Sequence, residues 1–522
     1  MRAPLPRRRP EHKRGLRLWP IRRVLVLAFA AAVTAAAGMF FTGWVLLGVE
    51  GLKPEQRIDS ETLFDLAKLS FGVVAGAGAL VALVVAYRRQ RIDEDGALRE
   101  ATRLHTERFT TAVDQLGNES AAVRLGAVHA LAGLADDAPT RDLRQTCIDV
   151  LCAYLRLPHN PENGLPQQNA EARQTHLALW EVRHTVIRLI RDHTRLPLDY
   201  PHSWQGHHFD FSATTFDGGD FSGAEFTGGT VDFSGAEFTA GKISFHRANF
   251  SGGTVKFDDA KFTGGTLDFY AEFNGGNVSF YRAKFTSGMI DFSGGGFTAG
   301  KISFRRANFS GGTVKFRRAV FSGSTLDLSR AVFFGGTVIL GAEFSAGRVT
   351  FNDGKFMGGT VDFSCATFSG SEVDFTSGEF SGSKVNFRLA KFSSGTMDFS
   401  YAYFSGSLVN FHDAKFTGGD VLFSQTKFSD GRADFGAEFS AGKVNFYSVM
   451  FSGSQVDFTT AKFLGGTVGF PSSQFNGGTI DFVGAQFHGG TVDFSHAVGV
   501  APNGLPLSGS PLPAGLSLPP TW

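Results

Sequence analysis

From residue 211 onward the chain places one large apolar residue at regular intervals between short polar stretches. Phe211, Phe216, Phe221 and Phe226 are five apart, and the spacing then alternates seven and five through Phe233, Phe238, Phe245 and Phe250. The unit is therefore twelve residues, and it runs to Phe494 with one-residue contractions at Phe269 to Phe273, Leu340 to Phe344 and Phe435 to Phe439. Two positions before most of these Phe stands a small or β-branched residue, such as Val231 or Ala236, with Asp232 or Glu237 between. Alternation of this kind predicts short strands with Phe and its small partner facing in and the charge facing out.

Twelve residues enclose too little space for two phenylalanines, whereas 24 hold four. A twelve-residue coil would also stack Arg305 and Arg306 on Arg317 and Arg318 at about 4.8 Å, a destabilising arrangement. The expectation is a solenoid with about 24 residues per coil, eleven or so coils and a length of about 50 Å. In the seven-residue step a Gly-Gly or Ser-Gly pair is added, as at Gly228 and Gly229, which reads as a widened corner.

The segments "FSGAEF" at 221–226 and "FHRANF" at 245–250 resemble the pentapeptide-repeat family, over roughly residues 211–497. The resemblance implies a right-handed, four-sided parallel β-helix with the large central residue and the small residue two before it facing inward. The seven-residue step departs from the family pattern. Because some members imitate the shape and charge of duplex DNA and bind topoisomerases such as gyrase, the resemblance also brings that function into view.

Upstream, two apolar runs at 24–49 and 69–87 are long enough to cross a hydrocarbon core of about 30 Å, and they predict two transmembrane helices. Basic residues before the first run and "RRQR" after the second predict a multi-pass cell-membrane protein with both termini cytoplasmic. Gly72 and Gly76 form a G-x-x-x-G that allows close helix approach, either within the hairpin or between two copies in a homo-oligomer. The chain is thus divided into a basic tail (1–23), a first span (24–49), an external loop (50–68), a second span (69–87), a helical collar (88–200), the Phe-rich repeat (209–497) and a Pro/Gly-rich tail (498–522).

The collar shows helical periodicity. Ser120 reads as an N-cap before an apolar face of Val123, Ala127, Val128, Ala130, Leu131 and Leu134. A second helix follows Pro139 and a third carries His176, His184 and His193, giving a small all-α module. In the C-terminal tail Leu505, Leu507, Leu512, Leu516, Leu518 and Trp522 recur among Pro and Gly. Two readings stay open there: a tail without fixed structure, or a cap laid across the last phenylalanines.

Composition sharpens this reading without supplying chemistry. The 55 Phe and 65 Gly reflect the repeat, and the net charge of +1 gives no global attraction for nucleic acid. Between 221 and 494 there are 24 Asp plus Glu and 23 Lys plus Arg, which speaks against an anionic DNA mimic. Cys147, Cys152 and Cys365 lack zinc-ligand or disulfide spacing, and the first two read as core residues. The histidines, including His207 and His208, lack metal-ligand spacing, and the glycine pairs lack the lysine and helix of a phosphate loop. No catalytic, cofactor-binding or metal residue is expected. The function read from the residues is a membrane-tethered, non-catalytic scaffold that presents its solenoid to a cytoplasmic protein. Alternatives are a gyrase modulator, and a signalling receptor or enzyme acting through the collar.

Overall fold

A computed structural model describes residues 60–158, 170–506 and 510–522, together with scattered positions between 26 and 45. The chain divides into two compact units, residues 1–104 and 105–522. Four helices are described in full: α1 (Ser60–Leu116), α2 (Ala121–Asp136), α3 (Arg141–Arg156) and α4 (Ala170–Thr194).

The expected pair of transmembrane helices is not supported, and with it falls the multi-pass membrane location. Among the described residues no helix is long and apolar enough to cross a membrane. The run at 69–87 is an interior stretch of α1, which starts at Ser60, inside the expected external loop, and continues past Arg88 to Leu116. Arginine is a good helix former, so the cluster that reads as a boundary does not end the helix. The run at 24–49 lies mostly outside the described residues, as do the basic tail and residues 50–59.

In the second unit α2 to α4 pack together through Ala127, Val128, Leu131, Ile148, Leu151 and Val186, all fully buried. Thr140 caps α3 by accepting the Leu143 amide at 3.3 Å. Ser120 stands at the N-cap of α2 but makes no side-chain capping bond. Val123 and Ala130, expected on the apolar face, are exposed because the buried stripe runs through positions 127, 128, 131, 132, 134 and 135.

Residues from Phe209 onward form a parallel β-solenoid of about 13 coils, two more than the spacing suggests, with about 24 residues per coil. At about 4.8 Å per coil it measures about 60 Å. The strands make two continuous parallel sheets of 17 and 23 strands. Four ladders of inward side chains run along it, represented by Phe233 on Phe257, Phe238 on Phe262, Phe245 on Phe269 and Phe226 on Phe250. Ring centroids within a ladder lie 4.7 to 5.1 Å apart in these pairs with nearly parallel planes, neighbouring ladders meet tilted, as between Phe245 and Phe250, and ladders facing each other across the interior meet edge-on, as between Phe292 and Phe304.

Most five-residue steps are β-turns with a left-handed third position. The Phe245 carbonyl accepts the Ala248 amide at 2.9 Å, and Arg247 between them has φ 58°. The aspartate before the turn holds it in place. Asp232 Oδ1 accepts the Ser234 amide, and Asp362, Asp398 and Asp457 repeat this with Ser364, Ser400 and Thr459. In the seven-residue step Gly229 has φ 75°, and a Cβ there would run into the His207 carbonyl, so both the turn and the contact between coils demand glycine. The three contractions fall at one corner of the coil. At two of them the left-handed turn gives way to a tighter one, in which Ala342 bonds Leu340 and Ala437 bonds Phe435 across two residues.

Both ends are covered. At the near end Arg156 donates to the Asp210 carbonyl, Arg183 to the Thr215 carbonyl and Arg195, just past the end of α4, to the Ser222 carbonyl, so arginines of the helical module satisfy the open edge of the first coil. At the far end Leu516–Ser517 pairs with Val492 and Asp493, and the Trp522 ring packs on Phe475 and Phe494. Of the two readings of the tail, the structure shows the cap.

Candidate interaction surface

The collar histidines, candidate ligands by residue type, are committed to packing and hydrogen bonds. His193 stacks on Trp204 and places Nε2 3.0 Å from Asp136 Oδ2 and Nδ1 2.6 Å from the Leu189 carbonyl. With an acceptor at each ring nitrogen, the doubly protonated ring is favoured. Burial works against it, but the Asp136 and Leu189 bonds outweigh burial and raise the His193 pKa. His207 faces Gln145 at 2.9 Å, and burial beside Arg141, Arg144 and His208 depresses its pKa to about 4. His184 stacks on Trp180 near Asp217, His176 is buried, and the exposed His208 bonds Gln145 through its backbone.

Cys147 and Cys152 are fully buried, and burial raises the first to about 11 and the second further. Among the described residues no cluster of three or more His, Cys, Asp or Glu is arranged to hold a metal. Gly72 and Gly76 lie within α1 with open space where a Cβ would stand.

The solenoid carries a charge pattern that its near-neutral total conceals. Residues 281–351, three coils, hold ten Lys or Arg against three Asp or Glu. Four of these cations are paired: Arg282 with Asp259, Lys301 with Asp327, Arg330 with Asp353, and Arg348 with Glu372 and Asp374. Lys284, Arg305, Arg306, Lys315, Arg317 and Arg318 meet no carboxylate at ion-pair distance among the described residues. Arg305 and Arg306 occupy one corner of their coil, and Arg317 and Arg318 stand across it, one coil step from Ser293 and Gly341 rather than from Arg305. The 24-residue coil thus separates the two pairs, but it stacks Arg282, Arg306 and Arg330 at the left-handed corner position.

Beside that corner lie Phe334, 51% exposed, and Met357, 44% exposed, on neighbouring coils. Neither belongs to an inward ladder. The signal for both is present in the sequence as an apolar residue where most other units carry Thr or Ser directly after the ladder Phe. No family model matches this chain, and neither a curated protein nor a solved structure matches it.

Proposed function

We propose that the chain is a non-catalytic scaffold of the pentapeptide-repeat type, which uses the outer surface of its solenoid to dock a protein partner. The carrying observation is the contrast between a repeated interior and a localised exterior. The inward ladders vary little from coil to coil, while ten cations against three carboxylates gather on three coils. Folding alone needs no such gathering, since the coils on either side form the same ladders with balanced or acidic exteriors. The same basic belt interrupts the continuous anionic column that DNA mimicry requires.

The test is site-specific photo-crosslinking in the source cells, with the crosslinker placed singly at outward positions spread along the solenoid, including Thr239, Arg305, Ser377 and Gln455. A discrete protein adduct from a subset of positions is expected. Adducts from none of them, in the presence of well-expressed protein, would defeat the scaffold reading.

A further inference from the structure

Resting on that reading, we propose that the Arg305–Arg306 corner and the adjacent Phe334–Met357 step form one docking site, whose occupant is an acidic amphipathic segment of a partner protein. The apolar half of the site runs against the needs of the fold. In several other coils the residue after this ladder's Phe donates its hydroxyl to the carbonyl one coil back: Thr286 to Phe262 at 3.1 Å, Ser310 to Phe285 at 3.3 Å, Ser429 to Phe404 at 3.2 Å. At Phe334 and Met357 those two bonds are given up in succession, and large apolar side chains face water instead. Because Phe333 pairs with Phe356, the two exposed side chains are one coil apart and form a continuous step.

The basic half flanks the same stretch of chain. Arg330 precedes Phe333 by three residues and Phe334 follows it, with half-buried Val332 between. Arg282, Arg306 and Arg330 stack one coil apart, an arrangement of like charges that costs stability unless compensated. Asp259 and Asp353 neutralise the two ends. The centre is left: Arg306 reaches only the Tyr281 hydroxyl at 3.2 Å, and Arg305 has no carboxylate partner among the described residues. Two adjacent guanidinium forks are suited to carboxylates.

Carboxylates or phosphates would satisfy those forks equally, and the apolar step decides between them. A phosphodiester backbone has nothing to bury on Phe334 and Met357, whereas Arg, Phe and Met together are the residues enriched at protein interfaces. A segment with acidic residues on one face and apolar residues on the other complements both halves at once.

The experiment measures binding of the full chain to a fluorescent helical peptide carrying Leu along one face and Glu along the other. Comparison probes are the same peptide with Lys for Glu, an oligoglutamate and a duplex oligonucleotide. The acidic amphipathic peptide is expected to bind best, and to weaken at least about tenfold with Arg305→Ser plus Arg306→Ser, and separately with Phe334→Thr plus Met357→Thr. Serine and threonine already occupy the equivalent positions in other coils, at Ser329, Ser377 and Thr286, so both variants should fold. The proposal is overturned if the peptide does not bind, if either pair of substitutions leaves its binding unchanged, or if the oligoglutamate or the duplex binds as tightly and ignores the loss of Phe334 and Met357. Crosslinks from another face of the solenoid, alongside such a failure, would leave the scaffold reading standing.

Discussion

Phe292 lies face to face with Phe316, 24 residues later, with ring centroids 4.8 Å apart and planes within 2°. Phe304, midway between them in sequence, meets Phe292 edge-on across the coil interior at 6.4 Å. Cysteines introduced at Ser293 and Arg317, one coil apart, should therefore crosslink far more efficiently than a pair at Arg305 and Arg317. Mass spectrometry of the oxidised chains reads the difference, and the opposite preference would contradict the stacking.

The ladder also predicts the stability of its own substitutions. Phe316→Ala removes a fully buried ring from the middle of a stack and should cost about 3 to 5 kcal/mol in denaturant unfolding. Phe316→Leu should cost much less, because Leu328 and Leu340 occupy ladder positions elsewhere and are themselves buried. Equal losses from the two substitutions would mean that ring stacking, rather than filled volume, holds the column.

Much of this architecture is legible because the Phe intervals encode it directly. The space that four phenylalanines need decides between coils of 12 and 24, since the 24-residue coil separates Arg305 and Arg306 from Arg317 and Arg318 but stacks Arg282, Arg306 and Arg330. Other features have no comparable signal. The left-handed corner position is held by residues as different as Arg306, Tyr401, Leu389 and Cys365, so no single residue type marks it. The basic belt vanishes from a sum of charge over 221–494, where acidic coils cancel it. The apolar run stops at Tyr87 but the helix does not, since arginines continue a helix as readily as they flank one. Phe334 is hidden by its neighbours, because one more Phe in a Phe-rich repeat draws no notice until the ladder excludes it.

Phe334 gives a stability prediction that separates fold from surface. Restoring the residue type of the other coils, Phe334→Thr should supply a hydroxyl donor to the Phe309 carbonyl and remove exposed apolar area. The midpoint of thermal unfolding should stay level or rise. A clear fall would show that Phe334 packs for the sake of the coil, and would remove the argument that it is there for a partner.

The two collar histidines should give stability opposite pH dependences. The raised pKa of His193 means that its contribution is complete below about 6.5 and is lost as pH rises through the folded-state value. His207, depressed to about 4, contributes fully above about 6.5 and loses that contribution as pH falls toward 4, on the order of 3 kcal/mol in all. Unfolding midpoints from pH 4 to 8 should therefore fall on both sides for the parent chain. His207→Gln should flatten the acid limb, and His193→Gln the alkaline one. Limbs that survive both substitutions would assign the pH dependence to other groups.

The cap at the far end can be removed without touching a ladder residue. Trp522 covers Phe475 at 5.2 Å and Phe494 at 5.6 Å and anchors itself by donating Nε1–H to the Gly499 carbonyl at 2.9 Å. Leu516 and Ser517 meanwhile pair with the strand at Val492 and Asp493, which would otherwise present a bare edge. Uncovering that end exposes aromatic rings and unpaired backbone groups together, the combination that invites coils to add end to end. A chain ending at Val498 should bind more hydrophobic dye than the full chain and associate in a concentration-dependent way, with ladder substitutions upstream left unaltered in cost. Trp522→Ala, which keeps the Leu516–Ser517 pairing, should raise dye binding while sedimenting as the parent does. If truncation changes neither dye binding nor association, the tail rests on the solenoid without protecting it, and the last coil must be stable with its phenylalanines open to water.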